Sequence, residues 1–233
     1  MRTATSNPSG GLGLQVTRGG LDRQLWPDVS RAAFVEHALP QAGLPAEVNA
    51  FRLRNQRHLQ RGLRRILLAR MLGVPTYFGA LWLTVQRGNG QVIPYGLASL
   101  RVVTDTGVGF IVDAFQNLVE AENMKYHGFG TGGTAEAAGQ TALVTELTTQ
   151  YATDNVRPTG TTTEGASANI YRTVATLSPD TGGTIAITEH GVFSQAATGG
   201  GVMLDRSLFA AVNLVAGSDS LTATYDLTFP SGS

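Results

Sequence analysis

The sequence predicts an all-β fold, a jelly-roll-like antiparallel β-sandwich with one short helix, behind a basic N-terminal extension. Three observations carry this expectation. First, residues 169–178 (NIYRTVATLS), 184–194 (TIAITEHGVFS), 202–214 (VMLDRSLFAAVNL) and 220–229 (SLTATYDLTF) are runs of strand length, rich in β-branched and aromatic side chains. Pro179-Asp180-Thr181-Gly182-Gly183, Thr198-Gly199-Gly200-Gly201 and Ala216-Gly217-Ser218-Asp219 stand between them as turns, and short strands at such spacing imply a sandwich or barrel. Second, glycine is 29 of 233 residues, well above the usual ~7%, which with the threonine tracts favours turns and loops over helices. Third, the zero net charge is split. Residues 1–72 hold eleven arginines against four acids, and residues 73–233 hold six basic residues against thirteen acids. That asymmetry marks a boundary between a basic extension, 1–72, and a β domain, 73–233.

Along the chain, residues 1–25 are polar and Gly-rich and read as disordered. Asp28 is a candidate N-cap for a short helix over 29–39, which Pro40 and Pro45 end. Residues 46–72 form the clearest helix, with Val48, Phe51, Leu59, Leu63, Ile66 and Leu67 on an apolar stripe. Residues 77–87 and 91–104 read as strands joined by Gly88-Asn89-Gly90, a strong hairpin signal. A helix is predicted over 108–120, where Phe110, Ile111, Ala114, Phe115 and Leu118 share a face. Residues 124–129 form a short strand, 141–147 a helical turn, and 151–168 a polar loop.

Several chemistries are disfavoured. The chain has no cysteine, so disulfides and Cys-ligated zinc are ruled out. No apolar run reaches the ~18 residues of a membrane span, and the first twenty residues lack the apolar core of a secretory signal. Gly128-Phe129-Gly130-Thr131-Gly132-Gly133 matches G-x-G-x-x-G, with Asp154 downstream. However, no βαβ pattern surrounds it, so it reads as a Gly-rich turn and no cofactor is expected. His127 and the pair Glu189-His190 could supply a general base, but too few partners accompany them for a metal site. The expectation is a structural imidazole hydrogen-bonded at a strand end. Asp205-Arg206 reads as a strand-edge ion pair, and no G-x-S-x-G elbow surrounds Ser194 or Ser207.

Arg57, Arg61, Arg64 and Arg65 form a candidate basic patch on the long helix. Such a patch could meet nucleic-acid phosphates or lie beside a docked protein partner. A membrane role is disfavoured because the helix lacks a Trp/Phe-rich apolar face. The abrupt change of composition after Met71 leaves three readings of the upstream stretch: translated upstream sequence under a misplaced start, a nucleic-acid contact or a structural arm. A chain begun at Met71 is expected to fold as well as the whole.

The order of motifs adds a resemblance. Lys125-Tyr126-His127-Gly128-Phe129-Gly130-Thr131-Gly132 precedes Thr134-Ala135-Glu136-Ala137 and Thr141-Ala142-Leu143-Val144-Thr145-Glu146. Then come Ile187-Thr188-Glu189-His190-Gly191-Val192-Phe193, Met203-Leu204-Asp205-Arg206-Ser207-Leu208-Phe209 and Asp219-Ser220-Leu221-Thr222-Ala223-Thr224-Tyr225. Over residues 76–229 this series resembles a family of tailed-bacteriophage virion proteins, the small jelly-roll sandwiches of capsid decoration (cement) and tail-fibre type. Gln140 stands where that pattern has an acid, and His190 where it has a small residue.

The resemblance implies a non-enzymatic virion protein that decorates and stabilises the capsid. It implies a dimer or trimer bound to the major capsid protein or other virion proteins, made in the host bacterial cytoplasm, with no membrane partner and nucleic acid disfavoured. The alternatives are a tail-fibre or tail-tip adhesin and, from another class, a carbohydrate-active enzyme with paired carboxylates in one cleft. Two exposed tips are the candidate contact loops: Gly130, Thr131, Gly132, Gly133 and Thr134, and Thr159, Thr161, Thr162 and Thr163.

Overall fold

The chain forms eight strands in the computed structural model, which describes residues 31–72 and 77–229. In chain order these are β1 (Phe78–Gln86), β2 (Val92–Val102), β3 (Tyr126–Gly130), β4 (Thr161–Glu164), β5 (Ile170–Leu177), β6 (Thr184–Phe193), β7 (Met203–Val215) and β8 (Ser220–Thr228). They make two antiparallel sheets, ordered β2-β1-β8-β5-β4 and β3-β6-β7. The expected sandwich is therefore the architecture found. The first strand pairs with the last, Phe78 opposite Thr228 through Gln86 opposite Ser220. Leu221 and Ala223 of β8 join Leu81, Leu83, Ile187, Phe209, Val212 and Leu214 in the main core.

Among the described residues three α-helices accompany the sheets, α1 (Arg31–Ala38), α2 (Ala46–Met71) and α3 (Asp105–Phe115), with a single 3-10 turn at Ala121–Asn123. The disorder expected over 1–25 lies outside the described residues. The predicted hairpin is present, and Gly90 adopts φ 83° in its turn, a conformation glycine enters without a Cβ penalty. The helix expected over 108–120 begins three residues earlier, because Thr104 caps it and its hydroxyl accepts the Gly107 amide. It also ends sooner, since Asn117 turns left-handed at φ 58° just past the C-cap. No helical turn forms over 141–147; that stretch is held extended by the bridge from Glu146 to Gly130. The polar loop expected over 151–168 contains β4, an edge strand whose four residues are all exposed.

The boundary expected between residues 72 and 73 does not divide the core, and this is the main correction. Helix α2 buries Val48 and Phe51 in the main core and Leu59 and Ile66 in a second cluster with Phe78, Leu97 and Leu100. It lies against β2 and β7, the end strands of the two sheets, and supplies the hydrogen bonds those strands lack there. Asn55 donates to the Ala98 carbonyl of β2 (2.7 Å) and accepts from the Ala210 amide of β7 (2.9 Å). Buried Arg52 donates to the carbonyls of Tyr95, Glu36 and Leu39, tying α1 to β2 as well. Gly62 rests directly on the strand: a Cβ there would stand 1.8 Å from the Leu100 carbonyl oxygen. Residues 46–71 thus close the seam of the sandwich and belong to the folded domain, against the reading of 1–72 as a detachable extension.

Candidate functional site

Glu189, Asp205, His127 and His190 turn inward, in two layers, whereas Asp154 is exposed. Between the sheets, His127 Nδ1 and His190 Nε2 share a hydrogen bond of 2.9 Å, and His127 Nε2 lies 3.1 Å from the Thr173 hydroxyl on β5 of the other sheet. Both rings are fully buried, in the interior rather than at a strand end. Burial lowers the His127 imidazole to about 3 and holds His190 well below its usual value, with His127 adding to the effect. Nearby, Asp205 accepts from the Ser207 hydroxyl (3.0 Å) and the Tyr225 hydroxyl (3.4 Å). Burial pushes its carboxyl up to about 7, against the opposing pull of Ser207 and Arg101.

The outer layer fastens residues 131–147 onto the three-stranded sheet. Glu189 accepts the amides of Gly132 (3.0 Å), Val144 (3.1 Å) and Thr145 (2.7 Å), together with Arg206 Nε (2.8 Å). Arg206 therefore pairs with Glu189 and not with its neighbour Asp205. It also donates to the Thr134 carbonyl and the Gln140 side chain. Glu136 accepts Arg101 Nε (2.7 Å) and the Leu208 amide of β7 (2.9 Å). Glu146 pairs with Arg157, whose guanidinium lies 3.5 Å over the Phe193 ring. The glycine motif is explained here. A Cβ on Gly130 or Gly132 would stand 2.6 or 2.5 Å from Glu189 Oε1, so the loop cradles an internal carboxylate rather than a pyrophosphate. Asp219 and Asp226 are committed elsewhere, to Arg87 and to Arg172. Among the described residues, no three His, Asp or Glu side chains gather where they could hold a metal ion.

This burial sets a pH dependence. The unfolded chain protonates its histidines below about pH 6.5, whereas His127 in the fold stays neutral to about 3. Each imidazole therefore removes stability as the pH falls from 6.5. Asp205 acts in the opposite sense between about pH 4 and 7, keeping in the fold a proton the unfolded chain has lost. Two imidazoles outweigh one carboxyl, so the urea midpoint is expected to drop between pH 6.5 and 4.5. The double variant His127→Leu/His190→Leu is expected to lose that drop; an unchanged slope would contradict the assignment.

The open surface lies between α3 and β4. Helix α3 and β4 flank an apolar groove of about 710 Å³, floored by Phe110, Met124, Ile170, Leu204 and Phe229. Val108, Val112 and Phe115 stand exposed on α3, Phe115 at 82%. Among the described residues, β4 ends the five-stranded sheet. Of the predicted contact residues, Thr162 and Thr163 line this groove, and Thr159 and Thr161 are exposed beside it. Thr131, Gly133 and Thr134 are exposed on the fastened loop, but Gly130 and Gly132 are buried beneath it, so they are corrected as contact residues. Arg57, Arg61, Arg64 and Arg65 are exposed on α2, away from the groove. The exposed side of α3 was missed because one apolar face was assigned to the helix; VGFIVDAF is apolar nearly all round, and that excess was the signal. Among the described residues no helix is long and apolar enough to cross a membrane.

No protein-family model matches this sequence, and no curated protein matches it.

Proposed function

We propose that the chain is a structural protein of a tailed-bacteriophage particle, decorating and stabilising the head by protein–protein contact. The observation that carries this reading is the groove between α3 and β4. A floor of apolar side chains, an 82%-exposed Phe115 and a sheet edge with no neighbouring strand form a surface of the kind that binds another protein. The rest of the sandwich supports it, since Glu136, Glu146 and Glu189 pair with arginines and the two buried imidazoles with each other, which stiffens the scaffold behind the groove. Apolar area buried on a repeating shell, at about 25 cal/mol per Å² and multiplied by avidity, reinforces a lattice without chemistry. The major capsid protein is the proposed partner. The tail-fibre or tail-tip alternative would use the same surface.

One observation favours a second reading. Glu122 and Glu164 both line the groove, and two carboxylates in one cleft are what a carbohydrate-active enzyme would need. Both are exposed, whereas a general acid of that kind depends on desolvation to hold its proton near neutral pH. Contact is therefore the better-supported role. Fractionation of purified particles tests it: the chain is expected with heads, and recovery with tails alone would move it to the tail.

A further inference from the structure

Helix α2 presents five arginines outward: Arg54, Arg57, Arg61, Arg64 and Arg65. Their spacing follows the helical repeat, so they form one stripe, opposite the seam that Val48, Asn55, Leu59 and Ile66 bury. None of the five forms an ion pair among the described residues, although α2 is covered along its other side. Leu53 and Leu68, 63% and 57% exposed, interrupt the charge with apolar surface. The groove offers the converse. Glu122 and Glu164 line it, Asp113 and Glu120 stand on α3 and just beyond, and no basic side chain lines it.

Within one copy no residue of α2 lines the groove. Helix α2 packs along β2 and the groove borders β4, the opposite ends of the order β2-β1-β8-β5-β4. Four strand spacings, ~19 Å, separate those edges.

We propose that copies of this chain join head to tail, the arginine stripe on α2 of one copy seating on the acid-rimmed apolar groove between α3 and β4 of the next. Arginine pairs with the rim carboxylates while leucines and Phe115 share the apolar floor, an arrangement of charge around an apolar centre that suits a specific interface. Because the two surfaces differ and lie on opposite edges, the contact is heterologous. It closes into a ring such as a trimer or runs on as an open chain, and it does not form a twofold dimer. This contact uses the same groove as the proposed shell contact, so the two occupants compete. A ring fills every groove with α2, and only the end copy of an open chain keeps its groove free for the capsid protein. Sedimentation of the chain without shells reads the self-contact alone.

Sedimentation of the full chain, at low and high salt, tests it. The native protein is expected to self-associate, and association should weaken with salt as screened charge pairs do. R57E/R61E/R65E and E122R/E164R are each expected to weaken association roughly tenfold or more, and the chain carrying both sets is expected to recover it. All these positions are exposed, so circular dichroism should match the native chain. Self-association that ignores both reversals would overturn the proposal, as would a native chain that stays monomeric at low salt. So would a stripe reversal that abolishes retention of duplex DNA while leaving the oligomer intact, which would make nucleic acid the partner.

Discussion

A chain beginning at Met71 is expected not to fold. Removing α2 exposes the partners of Val48, Phe51, Leu59 and Ile66, each fully buried. At about 1.5–3 kcal/mol per large apolar side chain, the loss approaches the whole stability of an ordinary domain, about 5–15 kcal/mol. The seam would fare worse than the area alone implies, because Ala98 and Ala210 would lose the Asn55 side chain that satisfies both strand edges. Urea unfolding followed by near-ultraviolet circular dichroism is the check. The full chain should unfold cooperatively, and the shortened chain should show no transition. A single substitution makes the same point: Gly62→Val drives a side chain into the Leu100 carbonyl, so it should cost several kcal/mol. A shortened chain with a midpoint near that of the full protein would restore the boundary at residue 72.

Glu189→Ala is expected to be the most damaging single change in the β domain outside its apolar core. It removes the acceptor of three amides and leaves the buried Arg206 guanidinium without its carboxylate. Breaking a buried pair from one side costs about 3–5 kcal/mol. Residues 131–147 should then exchange their amide hydrogens faster and become open to proteolysis, because Glu189 fastens them to the sheet. Glu189→Ala/Arg206→Met should be less damaged than Glu189→Ala, since no unpaired charge remains. A loss below about 1 kcal/mol in Glu189→Ala would show that the carboxylate does not hold the loop.

The parts of the fold that the sequence made legible are those where side-chain pattern and local structure coincide. The last four strands alternate or run apolar between Gly-rich turns, and their limits fall within a residue or two of expectation. Helix α2 was legible as a helix but not as a core element. Its buried face includes Arg52, Asn55 and Gly62, residue types that a periodicity reading assigns to solvent, and only the facing strand edges explain them. β4 was hidden because Thr161–Glu164 is exposed on both faces and carries no alternation. For the candidate site, the threonines of β4 were found by composition, whereas the groove itself depends on α3 packing beside a strand distant in sequence. The role of Glu189 was equally illegible, since its partners come from residues 132, 144, 145 and 206.

The proposed role makes this sandwich, α2 included, a building piece of a phage particle. Quantitative mass spectrometry of particles purified free of unassembled protein tests it most directly. The chain is expected in the head fraction at a copy number comparable to that of the shell protein, with peptides from residues 46–71 present at the same abundance as those from the strands. A chain abundant in the lysate but absent from the particles would contradict it.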